Sequence, residues 1–329
     1  MEPKLKIENL HVVYDTKEGE VQAVDGLSLE LNEKEVIGIA GETGSGKTTL
    51  ALSILRILPT NGRIVGGKIY FDGADLLSLP EEELLKIRQA KISLIIQQSG
   101  KALHPMFESG WQVAEAIYWH EDATPEELSR RVSKIFDNVW LGKENVFKFP
   151  EEMSMGMRQR ALIALAISTN PELIIADEPF KGLDVIIQRQ IIEILKGIKL
   201  KYKPTMLLMS HNINALGEIA HKLAIMYAGQ IFEVAEKDEI FQNPKHPYTK
   251  GLIGAIPSLK RLKRRLISMP GNLPSMINPP KGCRFWPRCP YAKEICKREA
   301  PKVIKIGNSL VRCHFAEEVA DISPWDFWG

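Results

Sequence analysis

Cysteine is missing from the first 282 residues of this 329-residue chain, and all four copies fall between 283 and 313. Long apolar runs are missing too. Stretches such as ALIALAIS (161–168) are far shorter than the roughly 18 residues a membrane span needs. The opening MEPKLKIENL has no apolar core of a signal peptide. These absences lead to the expectation of a cytosolic chain, where structural disulfides are rare. Charge of one sign is also lacking: 43 basic residues face 41 acidic ones, for a net charge of +2. That excludes a strong global field recruiting nucleic acid or an anionic membrane. The one dense charge run, KRLKRR (260–265), reads as a solvated linker face, with contact to anionic lipid as the alternative. No internal repeat occurs.

What is present is ordinary globular material, 44% hydrophobic and 26% charged, enough for two or three compact units. LKIENLHVVY (5–14) alternates apolar and polar residues and predicts a half-buried strand. EVIGIAGETGSGKTTLALSILRIL (35–58) predicts a buried strand, a Gly-rich turn and an amphipathic helix. ISLII (92–96), ELIIAD (172–177), TMLLMS (205–210) and KLAIMY (222–227) read as buried strands. Residues 108–150, RALIALAIS (160–168) and 185–202 read as helical. Strands alternating with helices predict a mostly parallel α/β sheet covered on both faces. After about residue 238 the chain turns rich in Pro and Gly, as a small irregular module on a linker would be.

GETGSGKT (41–48) fits G-x-x-x-x-G-K-[ST] between a buried strand and a helix. Gly41, Gly44 and Gly46 let the backbone turn tightly and approach phosphates. The loop residues Glu42, Thr43, Ser45 and Thr49 complete a cradle whose N–H groups and helix N-terminus face an anion. Lys47 is placed to reach the β- and γ-phosphates and Thr48 to ligate Mg²⁺. Asp177 ends a strand, so its carboxylate emerges at the sheet edge where ligands bind, placed to hold Mg²⁺ through water. Glu178 follows and is placed to orient or deprotonate a water attacking the γ-phosphate. Without the phosphate loop, two acids after a strand would mark only a turn.

Together these motifs resemble an ABC-type ATPase, the ATP-binding subunit of a transporter. MSMGMRQRALIALAI (153–167) resembles the family signature, GLD (182–184) its D-loop, and SHN (210–212) places His211 at its switch histidine. Gln97 matches the Q-loop glutamine that also meets Mg²⁺, with adjacent Gln98 as the other register. Tyr14 sits where the family stacks an aromatic ring on adenine, though a lone strand-end Tyr also serves packing. The resemblance implies a two-lobed nucleotide-binding domain over 1–238, with a helical lobe inserted at about 98–165. It also implies ATP bound between two subunits, with Ser154 and Gly156 contacting the γ-phosphate on the partner's loop. Here the sequence departs from the family's S-G-G pattern, because Met155 replaces the first glycine. Two readings stand open: Met155 crowds the phosphate approach, or it points away into a cleft.

NPKHPYTKGLIGAIPSL (243–259), MPGNLP and PPKGCRFWPRCPYAKEICKREAP resemble the C-terminal extension of oligopeptide and dipeptide importers. The extension is expected over 239–329. Some members of that subfamily bind a [4Fe–4S] cluster through such cysteines, here Cys283, Cys289, Cys296 and Cys313. Their spacing, C-x5-C-x6-C-x16-C, lacks the tight C-x2–4-C pairs of structural zinc. The ranking is therefore cluster, then Zn²⁺, then a disulfide pair, against four buried reduced thiols. His314 is a substitute ligand or a packing residue. Arg284, Arg288, Lys293 and Lys297 interleave with the cysteines and are expected to lower their pKa values.

The function expected from the resemblance is ATP-driven peptide import on the cytoplasmic side of the membrane. The implied partners are a paralogous ATP-binding subunit, two transmembrane permease subunits and an extracellular solute-binding protein, with no nucleic acid. Nickel and oligosaccharide are alternative cargos. A soluble ABC ATPase acting on nucleic acid or the ribosome is a different class. It commonly carries coiled-coil insertions, a second cassette or a basic surface, all lacking here. A redox sensor is a third reading.

Overall fold

A computed structural model describes residues 2–97, 102–256 and 269–323. Gln98 and KRLKRR lie outside the described residues. In chain order the strands are β1 (Leu5–Thr16), β2 (Gly19–Leu31), β3 (Val36–Ala40), β4 (Gly62–Phe71), β5 (Ala74–Asp75), β6 (Ile92–Ile95), β7 (Leu173–Asp177), β8 (Thr205–Ser210), β9 (Lys222–Tyr227), β10 (Gln230–Glu236), β11 (Val303–Ile306) and β12 (Ser309–Arg312). The helices that matter below are α1 (Lys47–Ile54), α2 (Glu81–Ile87), α3 (Ser109–Tyr118), α4 (Pro125–Asn138), α5 (Met155–Ile167), α6 (Val185–Tyr202), α7 (Ile213–Ile219), α8 (Lys237–Gln242) and α9 (Pro247–Gly254).

The main sheet runs β11-β12-β10-β9-β3-β8-β7-β6. Its half from β9 to β6 is parallel and the remaining edge is antiparallel. Successive side chains of a strand leave on opposite faces. Ile37 and Ile39 accordingly enter one core, and Val36 and Ala40 the other. With both faces covered, the parallel strands can be apolar throughout. One core is closed by a second, antiparallel sheet, β2-β1-β4-β5. The sequence reading anticipates only β1 of that sheet. β4 is hidden by Gly66 and Gly67, where register shifts interrupt the β1–β4 pairing and Gly67 adopts φ +90.

Two expectations need correction. α1 is not amphipathic: Lys47, Thr49, Leu50, Ala51, Ser53 and Ile54 are all buried, because the helix lies between the two sheets. Nor is the C-terminal part merely irregular. β12 pairs with β10 and β11 with β12, so the tail extends the main sheet. Its apolar groups join the larger core. Phe285 is fully buried, with ring centroids 5.3 Å from Tyr227 and 5.4 Å from Tyr248. Burying such a ring contributes about 1.5–3 kcal/mol.

α4 shows why its segment is helical. Thr124 caps it, accepting from the Glu127 N–H at 3.3 Å, while Glu127 bonds back to the Thr124 N–H at 3.0 Å; Pro125 occupies the first turn. α3, α4 and α5 pack together over one face of the main sheet and share its core.

His246 caps α9 by accepting from the Tyr248 N–H at 2.9 Å, and is wholly buried. Burial holds its pKa down at about 3. A depressed histidine pKa gives stability that is present above the unfolded value of about 6.5 and lost as pH falls toward the folded value. Between pH 6.5 and 4 the chain is expected to lose about 1.4 kcal/mol per pH unit more than a His246→Asn variant, which keeps a capping acceptor. Urea unfolding across that range measures the difference in slope.

Candidate active site

The phosphate loop joins β3 to α1, and its glycines are fixed by crowding. A Cβ on Gly41 would stand 2.2 Å from the Met226 carbonyl oxygen. Gly46 has φ +104, and its Cβ would stand 2.3 Å from the Ala23 carbonyl. No other residue fits such positions. Lys47 is buried and folds back over the loop, with Nζ donating to Gly41 O at 2.8 Å and Glu42 O at 3.1 Å. Its ammonium lies 3.5 Å from Glu178 Oε1, and burial lowers its pKa despite that carboxylate.

β7 ends in Asp177 with Glu178 next, and the neighbouring β8 brings Ser210 and His211 alongside. Thr48 Oγ1 donates to Asp177 Oδ2 at 2.7 Å. Asp177 Oδ1 is buried without a partner among the described residues. Burial raises the Asp177 pKa, and the neighbouring Glu178 charge adds to the shift. A cation relieves both penalties. Glu178 is held at φ +49, a conformation that costs a non-Gly residue energy and is often found at active sites. It accepts from the Ser210 hydroxyl at 3.1 Å and the His211 N–H at 3.0 Å, and His211 Nδ1 lies 2.8 Å away.

Tyr14, Thr43, Gly44, Lys47, Thr48, Thr49, Gln97 and Glu178 all line one cleft of about 250 Å³. Ser45 is buried behind the loop, with Oγ 3.4 Å from Lys47 Nζ. Ser154 and Gly156 are not in this cleft. Ser154 caps α5, accepting from the Met157 N–H at 3.3 Å, and is exposed. Gly156 faces inward, where a Cβ would stand 2.8 Å from Ile187. Met155 is half exposed, and its sulfur stands 3.4 Å from where a Gly182 Cβ would be.

Residues 24–181 match the family described as ABC transporter, and residues 232–296 match the oligopeptide/dipeptide transporter C-terminal region. The chain is 41% identical over 317 residues to the dipeptide transport ATP-binding protein of Caldanaerobacter subterraneus, covering 95% of this chain and 97% of that one. It belongs to this ABC transporter family of ATP-binding proteins. The oligopeptide transport ATP-binding protein of Escherichia coli is 38% identical, with 90% and 88% covered. Among solved structures, MJ0796, described as a bacterial ABC transporter cassette, superimposes with TM-score 0.65 at 26% identity, over 71% of this chain and 98% of that one. That cassette is dimeric, with one state bound to ADP and Pi. The fold here is that of an ABC ATPase.

Glu42 of this ABC ATPase does not enter the cleft. Its carboxylate accepts from Arg288 Nη1 at 3.1 Å on each oxygen, and its N–H donates to the Tyr248 hydroxyl at 3.2 Å. The tail therefore grips the phosphate loop from behind. This corrects the expectation for the basic residues of the cysteine segment. Arg284 pairs with Asp25 at 2.8 Å, Lys293 with Glu318 at 2.8 Å and Lys297 with Glu294 at 3.1 Å. Burial pushes the thiols up instead, to about 12 for Cys283 and Cys289 and about 11 for Cys313. All four cysteines are free and line a single small cavity. Among the described residues no three His, Cys, Asp or Glu converge closely enough to hold one metal ion. His314 lines that cavity and lies 2.9 Å from the Glu299 carbonyl. Among the described residues no helix is long and apolar enough to cross a membrane.

Proposed function

We propose that this chain is the subunit that hydrolyses ATP to power an importer of di- or oligopeptides. One observation carries the reading: Lys47, Thr48 and Glu178 line one cleft, and buried Asp177 is bonded to Thr48 directly behind it, with Oδ1 left without a partner among the described residues. Thr48, Asp177 and Gln97 would hold Mg²⁺, which supplies charge neutralisation on the β- and γ-phosphates. Lys47 exchanges its contacts to loop carbonyls for phosphate oxygens. Glu178 accepts a proton from the attacking water as the bond from the γ-phosphorus to the bridging oxygen breaks. His211 orients that carboxylate. The dipeptide and oligopeptide transport relatives support the cargo class.

Residues 1–238 form the ATPase unit in this reading and 239–329 an extension folded onto it. The partners are a related ATP-binding subunit, two membrane permease subunits and an extracellular binding protein, so the chain works peripherally on the cytoplasmic face. Co-purification with two membrane proteins, and ATP turnover stimulated by peptide, test this. A chain that associates with no membrane protein contradicts it.

The related subunit would meet Ser154, Met155 and Gly156. Met155 is exposed at the start of α5, so the site built on this signature is the weaker of the two. Met155→Gly is expected to raise turnover of the assembled complex severalfold; unchanged turnover removes the asymmetry.

The cysteines fit a [4Fe–4S] cluster. Four soft sulfur donors line one cavity, and a cluster takes each thiolate on a separate iron. Cys283, Cys289, Cys296 and Cys313 would hold it, staple the tail, and have no part in hydrolysis. Anaerobic purification is expected to give about four irons and four sulfides per chain; one zinc and no iron contradicts this.

A further inference from the structure

β2 is an edge strand of the antiparallel sheet, and an unpaired edge N–H seeks an acceptor. The Gln22 N–H finds one in the Met276 carbonyl at 2.8 Å, some 250 residues later in the chain. The Gln22 side chain is held as well, by Arg284 Nη2 at 2.8 Å. Around this point the tail lies closely on the nucleotide-binding body. A Cβ on Gly19 would stand 2.9 Å from Ile277, and one on Gly44 would stand 3.5 Å from Leu273. The segment's start is fixed by Arg288 Nε donating to the Pro270 carbonyl at 2.8 Å. Residues 270–277 thus run from beside the phosphate loop to the edge of β2.

Met276 lines the same cleft as Lys47 and Thr48. Tyr14 of β1 is in register with Val21 of β2, and both line that cleft. Met276 lies just beyond, across the β2 edge. Tyr14, Val21 and Met276 together line the cleft beside the paired ends of β1 and β2. A thioether suits such a surface, because sulfur is polarisable and the chain adapts to a flat ring.

We propose that the tail supplies a wall of the nucleotide site, and that Met276 contacts the base and ribose of the bound nucleoside triphosphate. The proposal rests on the cleft being the ATP site. The extension then belongs to the nucleotide site and also braces the loop.

The test compares two ligands on the full chain. Mg–ATP has base, ribose and phosphates, whereas Mg–tripolyphosphate has phosphates alone. Met276→Ala is expected to weaken Mg–ATP about five- to tenfold, the effect of losing part of a methionine side chain from an apolar contact, and to leave Mg–tripolyphosphate unchanged. Met276→Leu, which keeps apolar volume, is expected to bind Mg–ATP within about twofold of the unaltered chain. Equal affinity of Met276→Ala and the unaltered chain for Mg–ATP overturns the proposal. So does an equal loss for both ligands, which marks a general loosening of the loop. If the unaltered chain binds neither ligand, the assignment of the cleft fails, and the proposal with it.

Discussion

Glu178→Gln is expected to lower ATP turnover by about 10³-fold while leaving ATP affinity within a few fold. The substitution keeps the side chain's shape and an oxygen that can accept from the His211 N–H, now at 3.0 Å from the carboxylate. It removes the ability to take a proton. General-base contributions of this kind are worth 10²–10⁴ in rate. The loss should appear in kcat with KM little changed, as for an interaction made mainly in the transition state. A variant that keeps more than about a tenth of normal turnover shows that another group takes the proton.

Arg288→Met is expected to act differently. Arg288 is buried, and its Nη1 donates to both carboxylate oxygens of Glu42 at 3.1 Å. Removing one member of a largely buried ion pair strands the other, at a cost of about 3–5 kcal/mol when both are fully buried. Glu42 is about a third exposed, with a side-chain exposure of 30%, so water takes over part of the role. The expected loss of stability is about 2 kcal/mol, seen as a lower urea midpoint at unchanged slope. Because Glu42 belongs to the phosphate loop, affinity for Mg–ATP and for Mg–tripolyphosphate should fall together. That joint loss separates a brace on the loop from a contact to the base. Stability that falls with no change in either affinity leaves Arg288 a purely structural residue.

These residues differ in how far the sequence reveals them. The phosphate loop is local: eight consecutive residues, a buried strand before and a helix after, all read directly from spacing. Asp177 and Glu178 are nearly as legible, because an apolar strand ending in two acids has few uses beside such a loop. Tyr14, near the end of β1, and Gln97, just past the four-residue β6, depend on strand register, which one residue of slippage would change. The antiparallel sheet is legible only in β1, since β2 alternates weakly and β4 is broken by two glycines.

The tail is where local reading fails. Arg288 sits one residue before Cys289, so charge and thiol seem to belong together. The chain turns through a short 3-10 helix at Trp286–Arg288, and the guanidinium leaves toward Glu42, 246 positions earlier in the sequence. Met276 sits in a Pro-rich stretch with no periodicity at all. Its place in the cleft is set by contacts to distant residues, among them the Gln22 N–H at the edge of β2 and Arg288 on Pro270. Contacts of that separation leave no local pattern, whereas burial and pairing in the folded chain display them at once.

Uptake of labelled peptide into vesicles carrying the assembled transporter decides whether this subunit powers import. With ATP on the side of this subunit, peptide is expected to accumulate, and accumulation is expected to be lost in a complex carrying Lys47→Ala, whose cradle lacks its cation. Peptide uptake that persists in that variant, or a fully assembled complex that hydrolyses ATP without moving peptide, would contradict it.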